Sequence, residues 1–251
     1  MINFTSSDSG WTSISTGNFG QNVEFFYYNG TVIPSWLENY TANHAIWWLK
    51  LGSIPASSSI TVYIGIAPTS TNLFNTVNDG EAPQLSSTYA QYDDGANIFN
   101  LYTNWAGTSA PSGWTLASSS DGAASVNNGL TIKTGDVDDS SYGYAVYSAG
   151  TFSNMIISSY VSAVSISSTA GGMTGNPAAF SSSTSPSPNT APECNNFGYV
   201  VGLSVCQTSG GGSLYLLFAV RNYTRRFFSK FWRMGKTRSL VLSSQRFYRL
   251  C

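Results

Sequence analysis

Charge is the scarcest property of this 251-residue chain: Asp, Glu, Lys and Arg together make up 9% of it. Solvation must then come from hydroxyls and amides, and Ser, Thr, Asn and Gly are abundant. That balance is common in secreted β-proteins, and it suits an acidic medium in which carboxylates would be neutral. Histidine is nearly missing, His44 being the single one, and the three cysteines are Cys194, Cys206 and Cys251. That inventory is too small for a zinc set. A Ser-His-Asp triad would have to use His44, and no G-x-S-x-G sequence marks a nucleophile. No apolar run of about 18 residues occurs, so no membrane-spanning helix is expected. Met1-Ile2-Asn3-Phe4 has neither the basic nor the apolar region of a signal peptide, so an export signal or anchor is expected outside this chain.

The few charges are unevenly placed. Nine of the eleven basic residues follow residue 220, whereas all twelve acidic residues precede it. So sharp a shift marks a boundary. Residues 221–251 read as a basic tail. As a helix it would set Phe227, Phe228, Phe231 and Trp232 on one side and Arg226, Lys230 and Arg233 on the other, a pattern that lies on anionic membranes. Two other accounts stay open. The tail can supply ordinary terminal strands, or a change of reading frame has replaced the native continuation. Membrane-surface contact is expected only if the tail is native, and nucleic acid is not expected as a partner.

What the sequence does carry is β-pattern. In Ser59–Ile66, Ile60, Val62, Ile64 and Ile66 point one way and Thr61 and Tyr63 the other, the period of a half-buried strand. Val23–Tyr28 and Ala45–Leu51 are further strand candidates, the latter with Trp47 and Trp48 on opposite faces. Asn29-Gly30 predicts a two-residue hairpin turn, because both residues tolerate positive φ. No helix longer than a turn or two is expected before residue 220. Ser167–Pro192, rich in Ser, Thr, Pro and Gly, reads as a long loop.

The ordered series Tyr28–Thr31, Pro34-Ser35-Trp36-Leu37-Glu38, Trp48-Leu49-Lys50, Ser53–Ala56 and Ile60–Tyr63 resembles the domain of unknown function 2341 family. The resemblance covers about residues 20–80. It implies a surface or secreted protein of archaeal or bacterial type, and a domain shortened at its start, since the family's opening strands have no counterpart. Residues 91–116 resemble the opening of a concanavalin-like or laminin-G-like sandwich, and Gly129-Leu130-Thr131-Ile132 fits its next strand. Phe197, Tyr199, Val201, Leu203 and Val205 alternate with smaller residues, as a later sandwich strand would.

The candidates for chemistry are few. Glycoside hydrolysis needs two facing carboxylates, and the E-x-D-x-E strand of concanavalin-like glucanases is absent. Asp93-Asp94 and Asp136, Asp138 and Asp139 are the acidic clusters. The last three can supply oxygens to a rim calcium of the laminin-G-like kind, or form a solvated turn beside Gly135. Cys194 and Cys206 can form a disulfide in an oxidising compartment, or stand as two separate thiols. Trp36, Trp105 and Trp114 can offer flat faces for sugar stacking, or pack in the core.

The expectation is therefore an all-β chain of two β-sandwich, jelly-roll-like domains, both truncated, at 1–90 and 95–220, with the basic tail at 221–251. The expected function is a non-catalytic extracellular or cell-surface adhesion module that binds glycans or other surface proteins, without a cofactor unless calcium. The alternatives are a structural surface-layer or filament component, and a glycan-active enzyme.

Overall fold

A computed structural model describes residues 1–118, 122–133, 143–147, 149–150 and 159–160, together with the backbone of five further strands between residues 173 and 234. The regular structure there is mostly β, in several small sheets, with one short α-helix among the described residues. The all-β expectation holds at that level. The chain divides into two units, Met1–Ser109 with Val126–Gly129, and Ala110–Ser125 with Leu130–Cys251.

In chain order the first unit holds β1 (Ile2–Thr5), a 3-10 turn (Trp11–Ser13), β2 (Val23–Phe26), β3 (Ser35–Tyr40), β4 (His44–Leu49), β5 (Tyr63–Ile66), β6 (Asp79–Glu81) and α1 (Gly95–Ile98). Its main sheet runs β1-β4-β3-β6. The first three strands are antiparallel, and β6 lies parallel to β3. A two-stranded antiparallel ribbon, β2–β5, accompanies it.

Side-chain alternation decides what each strand buries. On the ribbon, Val23 and Phe25 are fully buried, and Ile64 and Ile66 pack against the same core. Leu37, Ala45 and Trp47 meet them from the main sheet, with Ile14, Phe19, Ile33 and Phe74 completing the cluster. The Trp47 ring lies 5.8 Å from Phe25 and 6.3 Å from Phe19. Asn22 is the polar fastener of this core. It is fully buried, and its side chain accepts from Ser15 N at 2.8 Å and donates to the carbonyls of Ser13 (2.9 Å) and Ala67 (2.7 Å).

In the first unit the strand expectations hold with two adjustments. The Ser59–Ile66 pattern is a strand only from Tyr63 on, although Val62 still points to the core with Ile64 and Ile66. The Asn29-Gly30 hairpin has a three-residue loop rather than a two-residue one. Gly30 N bonds Tyr27 O, Tyr27 N bonds Thr31 O, and Gly30, but not Asn29, sits in the left-handed region at φ 81°. A turn followed by one left-handed glycine needs a single positive φ, and Asn29 instead accepts from Thr31 N at 3.0 Å.

The second unit includes β7 (Trp114–Ser118), β8 (Ala123–Val126, whose last residue is grouped with the first unit), β9 (Leu130–Lys133) and β10 (Gly143–Tyr147). β7 pairs with β10 and β8 with β9. The remaining strands are β11 (Met173–Phe180), β12 (Val201–Gln207), β13 (Leu214–Asn222), β14 (Arg225–Arg226) and β15 (Trp232–Met234). They follow the order β11-β12-β13-β14, with β15 also on β13. β11 falls inside the stretch expected as a loop, where pairing with β12 makes a strand of residues whose composition alone reads as loop. Of the basic tail after Asn222, only the backbone of β14 and β15 is described.

Candidate functional site

Two places in the first unit hold unusual side chains. The first is built around β3 and β6. The loop before β6 is tightened by Asn75, whose side-chain oxygen accepts from the N–H groups of Val77 (2.9 Å) and Asn78 (2.8 Å). That turn delivers Asp79, Gly80 and Glu81 beside Ser35, Trp36 and Leu37, in parallel register. All three residues of β6 are buried.

Asp79 accepts from Ser35 Oγ at 3.0 Å through Oδ1, while Oδ2 has no partner. Glu81 accepts from Ser86 Oγ at 2.5 Å. On the alternate face, Gly80 leaves room for the Asp94 carboxyl. A Cβ there would collide with that carboxyl and with Tyr92 O, at 2.7 Å. Both Asp94 oxygens are buried without a partner. Burial pushes Asp79 up to about 8, against the Ser35 hydrogen bond and with help from the charges of Glu24, Asp94 and Glu81. Burial likewise raises Asp94 to about 7, and Asp93 adds to it. Glu81 is also raised by burial.

Asp93, next to Asp94, has the opposite surroundings. Trp36 Nε1 (2.9 Å), Gly95 N (3.0 Å), Tyr102 OH (2.9 Å) and Asn104 Nδ2 (2.6 Å) all donate to its carboxyl. Tyr102 is held well above its usual pKa, first by burial and then by Asp93. Phe99 closes the group, edge-on to Trp36 at 5.3 Å and to Trp48 at 5.5 Å, and stacked on Tyr102 at 5.8 Å. The cluster is thus a set of buried acids, of which Asp93 is richly hydrogen-bonded and Asp94 is not. Among the described residues no group of three His, Cys, Asp or Glu side chains is placed to hold a metal ion.

The second place is the outer face of the ribbon. Phe26 and Tyr63 are opposite each other and stack at 5.9 Å with 14° between the rings. Gly65 permits this: the Phe26 ring lies so close over it that a Cβ would approach to 2.9 Å. Tyr28, in the hairpin loop, is 89% exposed and lies 6.3 Å from Tyr63, itself 39% exposed. Glu24 shares this face through its pairing with Gly65. The result is a row of aromatic rings.

The residues singled out in the sequence lie apart from this row. Trp36 is 8% exposed, and Phe99 and Tyr102 stand against its ring. Trp105 is half-buried in the first unit with φ 55°, and its carbonyl accepts from Gly129 N at 2.9 Å. Trp114 opens β7 in the second unit, half-buried, 5.5 Å from the Tyr147 ring. His44 pairs its Nδ1 with Thr41 Oγ1 at 2.9 Å, a local turn contact. Asp136, Asp138 and Asp139 lie outside the described residues, and so does the Cys194 half of the Cys194–Cys206 pair. Tyr28 and Tyr63 were not singled out. Their signal was available: Tyr63 occupies the outward position of an alternating strand, and Tyr28 abuts the Asn-Gly turn.

No protein-family model matches the chain, and no solved structure matches it. A stretch of 77 residues is 43% identical to uncharacterized protein 562 of Sulfolobus islandicus rod-shaped virus 1, covering 30% of this chain and 13% of that protein. The chain therefore matches only a small part of that relative's length.

Proposed function

We propose that this chain is a non-catalytic, extracellular or surface-exposed recognition module that binds glycans. The observation that carries this reading is the ring row Phe26, Tyr28 and Tyr63 on the ribbon's outer face. Flat aromatic faces receive the C–H faces of sugars. Contiguous exposed apolar patches mark interaction sites, and Tyr28, 89% exposed, extends the stacked pair Phe26 and Tyr63 into one. The resemblance to the domain of unknown function 2341 and to a concanavalin-like sandwich belongs to the same reading, with each unit a β-sandwich.

A glycan array probed with the full chain tests it. Wild-type binding should be lost in both Tyr28→Ala and Tyr63→Ala. An array with no wild-type binding, or binding unchanged in both variants, overturns it. A second reading, a structural component that packs against its own copies, is favoured by one feature. Among the described residues β5 is paired on one side only, and an open strand edge is a template for another chain. Self-assembly at micromolar concentration, abolished by Ile64→Pro, would support that reading instead.

A further inference from the structure

The acids around β6 are placed as if no charge were intended on two of them. Asp79 is 1% exposed and satisfies one oxygen only, through Ser35. Asp94 is 2% exposed and satisfies neither. Glu24, Glu81 and Asp94 bear on Asp79, and Asp93 bears on Asp94, so every charged neighbour is another acid. Among the described residues no basic side chain donates to either one. Lys50 donates instead to the carbonyl of Asn97 in α1. An unpaired anion in such a place is strongly disfavoured, whereas a neutral carboxyl costs far less. Gly80 shows that the approach is built in, because any side chain at that position would run into Asp94.

We infer that Asp79 and Asp94 enter the fold as neutral carboxylic acids, making the first unit a proton-dependent structure that is firmest in acid and loosens as pH rises. The sign follows from linkage. Both groups bind a proton more tightly in the folded chain than in the unfolded one. Their stabilising contribution is complete below the ordinary carboxyl pKa near 4. It then declines as pH rises, until Asp94 near 7 and Asp79 near 8 have lost their protons. Across that window each retained proton makes the unfolding constant rise about tenfold per pH unit. Most carboxylates in proteins act the other way, since pairing lowers their pKa. The inference is independent of the glycan reading.

The direct test is a carbon-13 titration of the aspartate side-chain carboxyls in the full wild-type chain, with Asp79→Asn and Asp94→Asn used to assign resonances. Two resonances should titrate above pH 6, and each should vanish in its own variant. Amide exchange, corrected for its chemical rate and read over β3, β4 and β6, supplies a measurement that needs no variant. Protection there should fall by at least tenfold between pH 5 and pH 7. If all aspartates titrate below pH 5, or if protection is flat or rises over that range, the inference fails.

Discussion

β3 has two faces, and they are buried by different means. One carries Ser35 and Leu37, the latter opposite Trp47, and faces the apolar cluster, with Asp79 bonded to Ser35 and Glu81 paired with Leu37 on the same side. The other carries Trp36 opposite Trp48 and faces Phe99, Tyr102 and the Asp93 carboxyl. The apolar part of the first face, around Leu37 and Trp47, needs only shape and area. The second needs donors aimed at an acid, and a glycine to admit a neighbouring one. A bulge between Leu37 and Asn39 serves the second face as well, since Glu38 there accepts from Trp48 Nε1 at 2.6 Å. The comparison teaches that a strand such as β6 can be buried throughout without an apolar sequence. Polar residues suffice where each finds a partner, as Asp93 does.

Substitutions on the two faces should separate these mechanisms. Trp47→Ala should be the most damaging, at about 3–5 kcal/mol, because it empties the centre of the apolar cluster. Urea unfolding followed by fluorescence reads this, since Trp11, Trp36, Trp47, Trp48 and Trp105 all lie in the first unit. Gly80→Ala should come next, at about 3 kcal/mol, the upper end for overpacking, because backbone and carboxyl both block the new methyl. Trp36→Phe keeps a ring but removes a donor from Asp93, and should lose about 2 kcal/mol. Equal losses for Trp36→Phe and a mere ring-preserving change at an exposed site would erase the distinction between the faces. Tyr28→Ala should change stability by less than about 0.5 kcal/mol while removing glycan binding, since its side chain is almost wholly exposed.

Much of the first face was legible in the sequence. Alternation in Ser59–Ile66 correctly separated Val62, Ile64 and Ile66 from Tyr63, and the opposition of Trp47 to Trp48 followed from strand period alone. The buried acids of the two faces were not legible, for a physical reason. Asp79-Gly80-Glu81 looks like a polar turn, because two acids flanking a glycine are usually solvated. Only parallel pairing with Ser35–Leu37, 44 residues distant between Ser35 and Asp79, makes it a buried strand. Asp93-Asp94 stood out as an acidic cluster, but its split into one richly bonded and one unbonded acid depends on Trp36, Tyr102 and Asn104 arriving from other segments. The Asn29-Gly30 signal located the hairpin and misjudged its loop length, because one left-handed glycine was enough.

The most direct test of this account compares the urea midpoint of the full chain at pH 4.5 and pH 7.5, followed by tryptophan fluorescence. Neutral acids at Asp79 and Asp94 predict the higher midpoint at pH 4.5, with the difference removed in the double variant Asp79→Asn/Asp94→Asn. A midpoint equal at the two values, or higher at pH 7.5, would contradict it and would mean that these carboxyls are ionised and paired like ordinary ones.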